Sequence, residues 1–255
     1  MAKGASLGPQ CELRIAPKVS NLRGSVHTVV AGTQYTSLNN KAGEAWAFSR
    51  DGTSWNQEAY LTPSDGFVND RFGESIAILG DTMVVGAKGA YDQGSRSGAA
   101  YVFQRIGGTW VEQAKLTASA GMTYDHFGWS VAMDEGTIVV GANRGWRTGL
   151  GSAYVFVRSG GLWTEEVALT ASDGANFDWF GDSVAVAGDT VVVGAPGSSS
   201  AYVFVRNGAS WSEEAKLVPA GGPLDISFGE SVAASGDMLV VGAPGDDELG
   251  QQFPL

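Results

Sequence analysis

With 255 residues, 44% of them apolar, the chain can bury a sizeable core, and 37 glycines against 8 prolines indicate tight turns between short strands, not a collagenous or disordered polymer. A formal charge of −11 argues against nucleic acid or anionic membrane as a main partner, since both require a basic footprint. No run reaches the roughly 18 apolar residues of a membrane span, and the single cysteine, Cys11, provides neither a disulfide framework nor a Cys-based metal site.

Residues 1–11 carry no apolar stretch of the kind that opens a signal peptide. The first regular element in chain order is Ala45-Trp46-Ala47-Phe48, followed by Trp55 seven residues after the Phe, Leu61 six further on and Phe72-Gly73 eleven beyond that. Gly86-Ala87 stands fourteen residues after Phe72, and then come Tyr101-Val102-Phe103, Trp110 and Leu116. The series returns as Phe127-Gly128, Gly141-Ala142, Phe156, Trp163 and Leu169, and again as Phe180-Gly181, Gly194-Ala195, Phe204, Trp211 and Leu217. A last copy opens with Phe228-Gly229 and Gly242-Ala243. Only the interval from Gly-Ala to Phe varies, at 17, 15 and 10 residues. A fixed period of this kind marks a repeat architecture.

Each unit predicts four short strands. The first follows Phe-Gly, and a Gly-containing turn such as Gly188-Asp189 leads to the second, which ends at Gly-Ala. The third is Ala-Tyr-Val-Phe, and the fourth runs from Trp to Leu. Small side chains on the first strand and aromatics on the third and fourth suit a wedge, narrow at an axis and wide at the rim. The predicted fold is all-β, a β-propeller of four-stranded antiparallel blades. About four and a half blades fall in one domain over 1–255: a degenerate blade at 12–61, then 72–116, 127–169 and 180–217, and a half blade at 228–250. In the degenerate blade, Pro17-Lys18 stands for Phe-Gly and Ala31-Gly32 for Gly-Ala. The chain ends at Gln251-Gln252-Phe253-Pro254-Leu255 where a third strand is due, so an incomplete propeller, with an exposed edge that favours self-association, is expected in preference to the alternative of a complete small propeller closed by its terminal strands.

Phe180-Gly181 and Gly194-Ala195-Pro196, with Phe228-Gly229 and Gly242-Ala243-Pro244, resemble the FG-GAP repeat of integrin α-subunit heads. The stretch from Leu169 to Phe204, beginning Leu-Thr-Ala-Ser-Asp-Gly, is still more similar to bacterial FG-GAP repeats. The resemblance runs from about Ala45 to Gly245. It implies a non-enzymatic protein- or glycan-binding adhesion module of a larger surface or secreted protein, located outside the cell. The alternatives are a glycan-active propeller enzyme and a structural spacer array. Integrin-like repeats often carry an acidic calcium loop between Phe-Gly and Gly-Ala-Pro; the fixed interval here leaves only a two-residue turn, too few oxygens for calcium. No metal and no cofactor are expected.

Meander topology puts the second-to-third and fourth-to-first loops on one face, the natural binding face. The candidate ligand residues there are Tyr124, His126, Phe177 and Trp179 from fourth-to-first loops and Trp146 from a second-to-third loop. They are chosen as aromatics that do not recur at matching positions. Trp129, on a first strand, reads as core or channel lining. Trp55, Trp110, Trp163 and Trp211 read as blade packing, and Arg50, Arg105, Arg158 and Arg206 as structural. Asp70, Asp125 and Asp178, two residues before Phe-Gly, together with Asp65 and Asp173, read as turn caps in preference to a cation site. The fourth copy has Ile226 at the equivalent position, with Asp225 one step earlier, and the cluster Asp246-Asp247-Glu248 reads as solvated. His27 and His126 are the only histidines, and no nucleophile, base and acid are grouped for catalysis.

Overall fold

The computed structural model describes residues 14–15, 28–33, 42–144, 149–208, 210–220 and 227–245. Trp146, Asp225, Asp246-Asp247-Glu248, His27, Cys11 and 251–255 lie outside the described residues, as do Pro17-Lys18 and Ile226.

Strands form where Val, Ile, Tyr, Phe and Trp cluster, because branched and aromatic side chains pack well on a pleated surface. Blade 1 holds β1 (Arg14–Ile15), β2 (Thr28–Thr33), β3 (Glu44–Asp51) and β4 (Ser54–Leu61). Blade 2 holds β5 (Phe72–Leu79), β6 (Thr82–Ala87), β7 (Ala99–Ile106) and β8 (Thr109–Leu116). Blade 3 holds β9 (Ser130–Asp134), β10 (Thr137–Ala142), β11 (Ser152–Ser159) and β12 (Leu162–Leu169). Blade 4 holds β13 (Ser183–Ala187), β14 (Thr190–Ala195), β15 (Ser200–Asn207) and β16 (Ser210–Leu217), and blade 5 holds β17 (Ser231–Ser235) and β18 (Met238–Gly242). Every sheet is an antiparallel meander in chain order. First strands of successive blades lie against one another, while fourth strands barely touch, which is the predicted wedge. The chain therefore has the blade architecture of a β-propeller.

Blade 1 departs from the predicted register. Its first described strand pairs Arg14 with Gly32 and Ile15 with Ala31, upstream of Pro17-Lys18. Gly32 opposes Ala45 as Gly86 opposes Ala100, so Gly32-Thr33, not Ala31-Gly32, occupies the Gly-Ala position. The reason is steric. A Cβ on Gly32 would lie 2.1 Å from the Gly73 carbonyl, as one on Gly86 would lie 2.2 Å from that of Gly128.

The core lies between blades. Phe72, Phe127 and Phe180 are fully buried, and each meets the Tyr and Phe of its own third strand edge to face, as Phe180 does with Tyr202 at 5.5 Å and Phe204 at 6.0 Å. Gly181, with φ +92°, passes so close to blade 3 that a Cβ would sit 2.4 Å from the Ser152 carbonyl. Its own carbonyl accepts a hydrogen bond from the Ser130 hydroxyl at 2.8 Å, and Ser75 and Ser183 reach Gly128 and Gly229 in the same way. The Phe-Gly and Gly-Ala halves of the repeat thus meet across blades.

The rim is tied by a second repeating set. Ser64, Ser119 and Ser172 each donate a backbone N–H and a hydroxyl to Glu112, Glu165 and Glu213 of the next blade. A bulge in each β3-to-β4-type pairing, opposite Phe48 in blade 1 and Phe156 in blade 3, adds one residue to the outer strand. Glu58 and Glu166 are those added residues, and they reach Arg105 at 3.1 Å and Arg206 at 2.8 Å in the following blade. Arg105, Arg158 and Arg206 are structural as read, and they also lie over Trp110, Trp163 and Trp211, whereas Arg50 is exposed. Trp110, Trp163 and Trp211 pack against core clusters, but Trp55 is 47% exposed, a correction to its reading as packing. Blade 1 has no preceding blade among the described residues to cover it.

Candidate functional site

The approach to each Phe-Gly has one backbone shape. Asn69 and Arg71, Tyr124 and His126, and Phe177 and Trp179 all have positive φ, from 56° to 74°, on either side of Asp70, Asp125 and Asp178. A left-handed backbone is costly for residues with a Cβ, so the surrounding bonds must hold it. Each Asp supplies them: its side chain accepts the N–H of Phe67, Met122 or Ala175 at 2.6–2.7 Å, and its carbonyl accepts the N–H of Gly89, Arg144 or Gly197. The turn-cap reading of these three carboxylates is therefore what the geometry shows.

It also corrects the choice of aromatics. Tyr124 and Phe177 occupy the same position of the repeat, as do His126 and Trp179, so the positions recur and only the side chains differ. The structure separates them. Trp179 lines a cavity on the axis; Tyr124 and His126 form a ring contact at 6.3 Å beside it, and His126 lies 5.9 Å from Trp129, which also lines it. Phe177 is 47% exposed on the loop face.

The cavity encloses about 860 Å³ and opens where the first strands begin, on the loop face. Its polar wall is built by the residue after each Phe-Gly: Glu74, Trp129, Asp182 and Glu230. In blades 2 and 3 the residue after Gly-Ala reaches across to the next of these. Lys88 lies 3.3 Å from the centre of the Trp129 ring while ion-pairing with Glu74, and Asn143 donates to Asp182 at 2.8 Å. Burial lowers the pKa of Lys88, opposed by Glu74. Burial also raises the carboxyl of Asp182, a shift reinforced by Glu230 and opposed by the bond from Asn143.

The model of the FG-GAP repeat matches this sequence over residues 55–103, 110–156, 163–204 and 211–253. The chain belongs to the FG-GAP repeat family. The first three matched FG-GAP units run from the Trp of a fourth strand to the Phe of the next third strand, so the repeat in sequence straddles two blades in space. The fourth unit ends at Phe253, as the others end at Phe103, Phe156 and Phe204, so the repeat register extends beyond the half blade read from the sequence. No curated protein matches the sequence.

Within this FG-GAP framework, blade packing and cavity lining fall on different residues. Phe, Gly, Gly-Ala and Tyr-Val-Phe are held by contacts between blades, whereas the position after Phe-Gly, with Glu74, Trp129, Asp182 and Glu230, is not fixed in residue type and lines the cavity. Sequence reasoning missed the three carboxylates and Lys88. The available signal was the changing residue immediately after an unchanging Phe-Gly. Asp65 and Asp173 are bound to Tyr101 and Lys115, and to Tyr202 and Lys216, which makes them rim supports. Among the described residues, no three of His, Cys, Asp and Glu converge to hold a metal ion.

The Asp182 shift has a testable consequence. A carboxyl raised in the folded state binds protons that the unfolded chain does not, so its contribution to stability is full below the ordinary value of 3.8 and is lost as pH rises through the folded value. Asp70 and Asp125, raised chiefly by burial, act in the same direction. These three carboxyls should make the melting temperature of the wild type rise as pH falls from neutral toward 3.8, against the fall contributed by Asp65 and Asp173, whose carboxyls are lowered. In Asp182→Asn, which keeps an acceptor for Asn143, the rise should be smaller, and parallel profiles would refute the assignment.

Proposed function

We propose that the chain is a non-enzymatic binding module, exported or displayed at a cell surface, whose ligand enters the axial cavity from the loop face. One observation carries this reading: the residues that break the repeat's uniformity, Trp129, Trp179, Asp182 and Glu230 among them, converge on a single cavity, while the repeated residues are spent on packing. Two indole faces beside carboxylates are a recognition surface, since Trp brings a large contact area at small entropic cost and anchors many interfaces. The class of the ligand is testable on a glycan array, a peptide array and a panel of small organic ions. Trp129→Ala and Trp179→Ala should each weaken the leading hits by about tenfold or more, the scale of a central anchor. Hits retained in full by both folded variants would move the site elsewhere.

The carboxylates in the cavity also favour a second reading, a glycan-active propeller, because glycoside hydrolysis uses two carboxyl groups across a cleft. Hydrolysis of aryl glycosides by the wild type, lost in both Asp182→Asn and Glu230→Gln, would establish catalysis over binding.

A further inference from the structure

Below its polar mouth the axial cavity continues into a second chamber of about 200 Å³, and the two share a ring of Ile76, Val131, Val184 and Val232. The side chains of the lower walls are apolar, among them the half-buried Ala77, Ala132 and Met133, while β5, β9, β13 and β17 also present their free backbone edges there. Water-facing apolar side chains on four strands of a half-open channel gain free energy when a hydrocarbon replaces the water over them.

The mouth has a definite charge. Glu74 is paired with Lys88, and the Lys88 ammonium covers a face of Trp129. Asp182 is hydrogen-bonded to the neutral Asn143, and neither Asp182 nor Glu230 forms an ion pair among the described residues. Lys88, already paired with Glu74, also acts on Asp182, so one ammonium serves three carboxylates. A ligand cation therefore meets a mouth with an excess of negative charge, with Asp182, the exposed Glu230 and the indole of Trp179 to attract it. The burial that raises the Asp182 carboxyl is relieved when a cation arrives.

Building on the axial-cavity reading, we infer that the ligand is a free alkylammonium, with its ammonium head between Asp182, Glu230 and Trp179 and its unbranched tail in the chamber below the ring of Ile76, Val131, Val184 and Val232. The order of charge and grease sets the orientation. A lysine side chain of a partner protein, entering from the loop face, would lead with its ammonium into the apolar tube and leave its methylenes among the carboxylates. A sugar would leave the tube unfilled.

The test is calorimetric titration of the full chain with n-hexylammonium, ethylammonium, n-hexanoate and the peptide Gly-Gly-Lys-Gly-Gly, with tryptophan fluorescence as a second readout. Each fully buried methylene is worth roughly fourfold in affinity, so in this open-ended tube hexylammonium should bind about tenfold or more tighter than ethylammonium. Hexanoate and the lysyl peptide should bind far more weakly than hexylammonium. The double variant Asp182→Asn, Glu230→Gln, folded by circular dichroism, should lose the preference for hexylammonium over hexanoate. Ala132→Leu should remove the dependence on tail length while ethylammonium binding persists. Equal binding of hexanoate, equal binding of the lysyl peptide, or no dependence on tail length would each overturn the inference. If hexylammonium fails to bind while Trp129→Ala and Trp179→Ala still abolish array hits, the cavity stands as the binding site and only the ligand class falls.

Discussion

Gly181→Ala should destabilise the protein by about 3 kcal/mol or more, at the upper end of single-substitution effects. Two costs combine there. The backbone lies at φ +92°, and a new Cβ would stand 2.4 Å from the Ser152 carbonyl and 3.0 Å from the Ala142 nitrogen, so blades 3 and 4 must separate before it fits. Separation also lengthens the 2.8 Å bond from the Ser130 hydroxyl to the Gly181 carbonyl and the bridge of Gly151 to Phe180. Gly160→Ala is the internal control. Gly160 also has positive φ, +58°, but a Cβ there meets nothing within 4 Å, so only the conformational cost of about 1–2 kcal/mol applies. Urea denaturation of both variants measures the difference, and equal losses would show that backbone conformation, not close approach between blades, is what the motif glycine provides.

Phe180→Ala should cost about 3–5 kcal/mol, the range for emptying a fully buried aromatic site. Phe180 is 0% exposed and lies in the core cluster that joins Val139 and Val155 of blade 3 to Val191, Val193 and Tyr202 of blade 4. A relaxed cavity is unavailable because Tyr202 is anchored by its hydroxyl to Asp173 at 2.8 Å and cannot swing inward without breaking that bond. Phe228→Ala should cost clearly less, since Phe228 is only partly buried against its cluster. Comparable losses at the two sites would mean that blade 5 is packed as tightly as blade 4.

These two expectations rest on residues that were visible at once in the repeat, whereas the cavity rests on residues that were not. The fourteen-residue spacing from Phe-Gly to Gly-Ala, the Gly-containing turns and the Ala-Tyr-Val-Phe runs determined the strands, their order and the wedge, because strand formation and hairpin closure depend on neighbours in the chain. The turn-capping role of Asp70, Asp125 and Asp178 was legible for the same reason, since each bond spans three residues. The bulges that deliver Glu58 and Glu166 to the next blade were not legible, because a bulge leaves the Trp-to-Leu spacing of the sequence unchanged. The equivalence of Tyr124 with Phe177 and of His126 with Trp179 was legible in their spacing, three and one residues before Phe127 and Phe180, but the left-handed backbone they share was not. The tertiary structure alone decided that Glu74, Trp129, Asp182 and Glu230 form one wall. They stand 48 to 55 residues apart along the chain. Only the wedge shape of the blades, which crowds first strands together at the axis and spreads fourth strands at the rim, carries the same position of every repeat to the same place.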